Sequence, residues 1–236
     1  MGAEVMVHME GVTKRFGKVF ALRGIDLQLG RGRFLGVFGP NGAGKTTLLK
    51  VLATLTRPST GTITIAGYDI VREADKVRST LGVLVHRTFL YGQLTASENL
   101  QFYGRMFGVK KLPERILEVL QIVGLETHAR QLVRTYSRGM QQRLAIARAI
   151  LHHPSLLLLD EPYTGLDQHA STHLQELLRQ LHAAECTIIM STHDVQRGLE
   201  LYDDIAIQCR GKIVFYGSAA GIDLHAFEQL YAEHAR

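Results

Sequence analysis

Short, continuous apolar runs bounded by polar turns recur along the chain at residues 33–38, 155–159, 186–190 and 204–208. Runs of this length, without alternation, are the pattern of strands buried on both faces of a sheet. Stretches with helical spacing separate them: residues 45–54 follow the first run, residues 168–182 the second and residues 194–201 the third. The opening of the chain reads differently. Residues 5–9, 25–29 and 61–65 are β-rich, the last of them as one arm of a hairpin, and several helical stretches lie between residues 95 and 123. Strands alternating with helices predict an α/β fold with a parallel sheet, preceded by a β-rich portion and interrupted by a small helical lobe. We expect one domain over residues 1–236, with a helical subdomain at about residues 87–152. The sequence shows no internal repeat and no low-complexity tract.

Composition narrows this picture only at its edges. With 236 residues, 46% of them hydrophobic, the chain has enough apolar material for one substantial core. No apolar run approaches the roughly 18 residues a membrane-spanning helix needs, and the start Met-Gly-Ala-Glu-Val lacks the basic and apolar segments of a signal peptide. A cytoplasmic location is expected. The formal net charge is +5, but Lys and Arg are scattered, so a solvated surface rather than a nucleic-acid partner is the expectation. Cys186 and Cys209 have no metal-like spacing and read as core thiols.

The chemistry is concentrated in a few motifs. Gly39, Pro40, Asn41, Gly42, Ala43, Gly44, Lys45, Thr46 and Thr47 form a complete phosphate-binding loop between a predicted strand and a predicted helix. Its glycines let the backbone turn tightly and aim N–H groups at a phosphate, and the helix start adds its positive dipole end. Lys45 is placed to reach the β- and γ-phosphates of ATP, and the Thr46 hydroxyl to hold Mg²⁺. The run Leu-Leu-Leu-Leu-Asp-Glu-Pro, residues 156–162, ends a buried strand on two adjacent carboxylates, which demand compensation by a cation. Asp160 fits a direct or indirect Mg²⁺ ligand. Glu161, expected on the opposite face because it is the next residue, fits the base that polarises an attacking water. Further back, Ser137 and Gly139 open a helix on which Met140, Leu144, Ala147 and Leu151 form one apolar face. Ser137 caps that helix, and Gly139 lets an oxyanion approach.

Taken together these motifs resemble the ATP-binding-cassette ATPases over nearly the whole chain: the phosphate loop, a variant of the Leu-Ser-Gly-Gly-Gln signature at residues 136–140, the carboxylate strand, Gly-Leu-Asp at 165–167 and Ser-Thr-His at 191–193. The resemblance implies an α/β P-loop NTPase fold with a RecA-like core, an antiparallel β-subdomain and a helical subdomain. It implies a homodimer of cassettes formed on ATP binding, with Ser137 and Gly139 acting on the nucleotide of the opposite copy. Asp167 would link the two sites, His193 would contact the γ-phosphate, and Phe16 would stack on adenine unless it packs in the core. The signature departs from the common form at Arg138 and Met140, as exporter cassettes do. His86 stands where most of the family has the glutamine that senses Mg²⁺ and the membrane partner.

His86, the segment 88–103 and the stretch 194–200 are similar to the haem-exporter ATPases of bacterial cytochrome c maturation. That likeness implies a peripheral protein on the cytoplasmic face of the cell membrane, bound to separate integral membrane subunits and energising haem export or the release of a haem-loaded chaperone. Haem would be handled by the partners, since the chain has no Cys-x-x-Cys-His. The competing readings are the ATPase of an ABC-2-type exporter for a drug, lipid or polysaccharide, and a soluble cassette protein of DNA repair or the ribosome.

Overall fold

The computed structural model describes residues 4–85, 88–194 and 199–234. Strands β1 (Val5–Phe16) and β2 (Val19–Gly30) form a long antiparallel hairpin; β1 also pairs with β4 (Thr60–Ile65), and β4 with the short β5 (Tyr68–Asp69). The result is a four-stranded antiparallel sheet in the order β2-β1-β4-β5. Register shifts between Met9 and Val12 and at neighbouring pairs break the strict alternation of β1. The strand therefore runs well past the residues 5–9 expected from its pattern.

The second sheet has six strands in the order β10-β9-β3-β8-β7-β6. Its centre is β3 (Phe34–Phe38), parallel to β8 (Thr187–Thr192) and β9 (Asp204–Cys209). Strand β7 (Leu156–Asp160) lies parallel to β8 and to β6 (Leu81–Leu84), while β10 (Lys212–Ser218) closes the other edge antiparallel to β9. Every residue of β3, β7, β8 and β9 is buried, because successive side chains serve different cores. Leu35, Val37, Leu156, Leu158, Ile189 and Ala206 pack toward helix α1 (Lys45–Leu52) and the antiparallel sheet. Phe34, Phe38, Leu157, Leu159, Ile188, Met190, Ile205 and Ile207 join the helical side. Two-sided burial is what turns an alternating strand into a continuous apolar run.

The helical side is built from α3 (Ala96–Met106), α4 (Leu112–Ile122), α5 (Arg138–Ile150), α6 (Gln168–Ala183) and α7 (Leu224–His234). A short helix, α2 (Ala74–Thr80), precedes β6. Helix α3 starts on a reciprocal cap: the Glu98 N–H donates to Thr95 Oγ1 at 3.2 Å and the Thr95 N–H donates to Glu98 Oε2 at 2.8 Å. Leu100 and Tyr103 of α3 and Val119 and Leu120 of α4 share one core with the central sheet.

Three expectations change. Helix α5 buries every residue from Leu144 to Leu151 rather than a single face, because it lies between β6 and the pair α3 and α4. Its Arg148 is buried by donating to the Val83 carbonyl at 2.6 Å and standing over the rings of Tyr103 and Phe89, 5.1 and 5.6 Å from their centres. The helix expected over residues 194–201 falls partly on residues 195–198, outside the described residues, and Leu199–Leu201 is a single 3-10 turn. Cys186 stands just before β8 rather than in it; burial pushes its thiol up to about 11, and neither it nor the buried Cys209 forms a disulfide.

Candidate nucleotide site

The loop 39–44 joins β3 to α1, and its backbone needs glycine at two places for the same reason, a carbonyl oxygen where a Cβ would stand. At Gly44 φ is +107°, and a Cβ would lie 2.5 Å from the Ala21 carbonyl oxygen. At Gly39 a Cβ would lie 2.1 Å from the carbonyl oxygen of Gln208. Because Gly44 is also the N-cap of α1 and offers no side-chain acceptor, the first-turn N–H groups remain available to an anion. Above them opens a cavity of about 1070 Å³, bordered by residues 40–47, Lys50, Ala21, Val85, residues 88–90, Arg138, Gln141, Gln142, Asp160, Glu161, Thr164 and His193.

Lys45 is 6% exposed and donates to the carbonyls of Gly39 at 2.6 Å and Pro40 at 3.3 Å. Burial lowers its pKa, while Glu161, with Oε1 3.6 Å from Nζ, and Asp160 pull it back up. Asp160 ends β7 opposite Ser191 of β8, and its Oδ1 accepts from Ser191 Oγ at 2.7 Å and from Thr46 Oγ1 at 3.1 Å. The Thr46 hydroxyl and the Asp160 carboxylate are hard oxygen donors suited to Mg²⁺. Among the described residues there is no cluster of three or more His, Cys, Asp or Glu side chains that could hold a metal ion.

Glu161 does not face away from Asp160. Strand β7 stops at Asp160, and Glu161 adopts φ of +51°, a left-handed turn that brings its carboxylate into the same cavity. The turn is held by the Glu161 N–H, which donates to the Ser191 carbonyl at 3.1 Å. The carboxylate is fixed at both oxygens: Lys45 Nζ lies 3.6 Å from Oε1, and His193 Nδ1 is 2.6 Å from Oε2. Lys45, Thr46, Asp160, Glu161 and His193 thus converge from three separate elements.

The remaining expected residues fall elsewhere. Ser137 caps α5, its Oγ accepting from the Met140 N–H at 3.2 Å, but neither Ser137 nor Gly139 borders this cavity. A Cβ on Gly139 would make only an ordinary contact with Ala170 at 3.5 Å, so nothing among the described residues demands glycine there. Asp167 is exposed and caps α6, accepting from the Ala170 N–H at 2.8 Å. Phe16 is 54% exposed at the end of β1, with the Lys14 ammonium 4.9 Å from its ring centre; it is not a core residue, and Ala21 of the same hairpin, not Phe16, borders the cavity. His86 lies outside the described residues; Val85 and Thr88 beside it border the cavity. Sequence reading missed Ser191 as the group that holds Asp160, and Gln142, whose Nε2 donates to the Pro162 carbonyl at 2.9 Å. No linear spacing links these pairs: the register of β7 on β8 brings Ser191 to Asp160, and the packing of α5 brings Gln142 to the turn after β7.

A family model described as "ABC transporter" matches residues 22–164. The chain is similar to the daunorubicin resistance ATP-binding protein DrrA3 of Streptomyces coeruleorubidus, 38% identical over 92% of this chain and 69% of that protein. It is also similar to the Nod factor export ATP-binding protein I of Ralstonia nicotianae, 35% identical over 95% of this chain and 71% of that one. Among solved structures, a dimeric post-hydrolysis state of the ATP-binding cassette MJ0796, bound to ADP and Pi, superposes with a TM-score of 0.83 at 28% identity, covering 92% of this chain and 100% of that one. The α/β architecture expected from the motifs is the one these relatives share, and on that likeness the chain belongs to the ABC transporter family as one of its ATP-binding cassettes.

Proposed function

We propose that the chain is the ATP-hydrolysing subunit of a membrane exporter of ABC-2 type, and that Glu161 is its catalytic base. The observation that carries the catalytic part is the carboxylate of Glu161, held by His193 at 2.6 Å and facing Lys45 at 3.6 Å beside the phosphate loop. In this reading residues 39–47 cradle the phosphates through backbone N–H groups, and Lys45 balances the charge that grows on the leaving phosphate. Glu161 orients a water for in-line attack and takes up its proton, while His193 fixes the carboxylate and donates toward the γ-phosphate. Thr46 and Asp160 would hold Mg²⁺, which supplies further neutralisation of phosphate charge when bound.

Ser137 and Gly139 stand outside this cavity, so we place them on the nucleotide of a second copy, with Asp167 at the junction of the two. The dimeric state of the similar cassette MJ0796 supports that arrangement. Phe16, exposed on the hairpin tip, is assigned to the adenine, and His86 to the sensing of Mg²⁺ and of the membrane partner. Residues 87–152 act as the helical subdomain within a single cassette. Phe89, Tyr91, Phe102 and Met106 leave an exposed apolar patch there, each more than 40% exposed, where a separate integral membrane subunit on the cytoplasmic face would dock. Among the described residues no helix is long and apolar enough to cross a membrane.

For the cargo, the relatives favour the alternative, an exporter of a drug, lipid or polysaccharide, over haem. One is named for daunorubicin resistance and the other for Nod factor export, and neither name speaks of haem. The likeness to haem exporters rests on local stretches, one of which lies partly outside the described residues. The test is to tag the Glu161→Gln chain, purify it from native membranes with Mg²⁺ and ATP, and identify its companions. A polytopic permease from outside the haem pathway is expected. Recovery of a haem-pathway subunit would overturn the cargo assignment, and recovery of ribosomes or nucleic acid would overturn transport.

A further inference from the structure

The primary amide of Gln208 is fully buried, and neither its oxygen nor its nitrogen has a hydrogen-bond partner among the described residues. Strand β9 places Gln208 two residues after Ala206, on the side of the sheet where Leu22, Leu48 and Leu49 pack. A buried amide without partners is costly there, whereas an unbranched apolar side chain of the same length would simply extend the cluster.

What surrounds the amide is the phosphate loop. A Cβ on Gly44 would stand 2.7 Å from Nε2 of Gln208, and the Gln208 carbonyl closes on the Cα of Gly39 from behind. One residue thus backs both ends of the loop. The loop is tied at Ala43, whose carbonyl accepts from the Gly211 N–H at 2.8 Å, and Lys45 engages the carbonyls of Gly39 and Pro40. When Lys45 turns to phosphate oxygens, those two carbonyls lose their donor, and the backbone beside Gln208 is left to find another.

We propose that Gln208 is a positioning residue of the phosphate loop, its amide taking up backbone groups of residues 39–44 when the loop closes on a nucleotide's phosphates. The inference rests on the nucleotide reading above. It requires the amide to be a burden in the nucleotide-free protein and an asset in the bound one. An amide that is only a packing defect would be a burden in both.

Gln208→Met keeps length and volume and removes both polar groups. Thermal unfolding without nucleotide and calorimetric titration with Mg²⁺ and ATP separate the two cases. The variant is expected to unfold at higher temperature than the wild type without nucleotide, and to bind ATP about tenfold more weakly, the worth of roughly one hydrogen bond. Gln208→Leu should shift both quantities in the same directions. A raised Tm with ATP affinity within twofold of wild type would overturn the proposal, since the amide would then do nothing for the bound loop. A lowered Tm would overturn it as well, since the amide would then have partners without nucleotide. A wild-type chain that fails to bind ATP would instead refute the nucleotide reading itself.

Discussion

Phosphate release by the Glu161→Gln chain is expected to fall by about 10² to 10⁴-fold, the range set by loss of a positioned general base. Glutamine keeps the size of the side chain and an acceptor for His193, so the turn at residue 161 and its bond to the Ser191 carbonyl should survive. What disappears is the capacity to accept a proton from water. The loop and Lys45 are untouched, so ATP still binds, and an ATP-bound pair of chains should accumulate because the step that would open it has stopped. A colorimetric phosphate assay with light scattering in the presence of ATP reads both effects. Turnover at the wild-type rate would remove Glu161 from catalysis.

Removing Lys45 acts on binding rather than on the chemical step alone. In the wild type the buried ammonium is stabilised by two loop carbonyls and the nearby carboxylates of Glu161 and Asp160, against the burial that lowers its pKa. Lys45→Ala leaves those carboxylates facing the phosphates with no side-chain cation between them. Charge-assisted hydrogen bonds are worth about 1.5–3 kcal/mol, so ATP affinity should weaken by roughly 10- to 100-fold in a calorimetric titration. The fold should persist, because the core around Leu48, Leu49, Val51 and Leu52 keeps all its apolar members in the variant. An unchanged affinity would mean that the phosphates are held elsewhere.

Much of this site was legible in the sequence because its parts are local. Residues 39–47 carry their own geometry, and the Leu run before Asp160 announces both a strand and the charges at its end. The strands buried on both faces were equally plain, since two cores draw on alternate residues of one run. What escaped is long-range or set by backbone detail. The turn of Glu161 into the cavity depends on a left-handed residue, which the spacing of Asp160 and Glu161 does not reveal. The Ser191 hydroxyl reaches Asp160 only through the register of β7 on β8. The hairpin β1 and β2 outran its apolar pattern because its bulges shift the phase of alternation. Helix α7 buries only Phe227 fully, and β10 carries the apolar Val214 and Tyr216 at exposed positions, so neither gave a strong periodic signal. Cargo is the least legible property, because a subunit that supplies energy to a permease is shaped by its nucleotide and its docking partner.

The central claim is an ATPase whose site is completed by a second copy of the chain, with Ser137 and Gly139 supplied from across the interface. The measurement that tests it most directly is phosphate release per wild-type chain with Mg²⁺ and ATP, taken across a wide range of chain concentration. The rate per chain should rise steeply with concentration and level off once the pairs are formed. A rate per chain that stays constant down to high dilution, or no release at any concentration, would contradict the account.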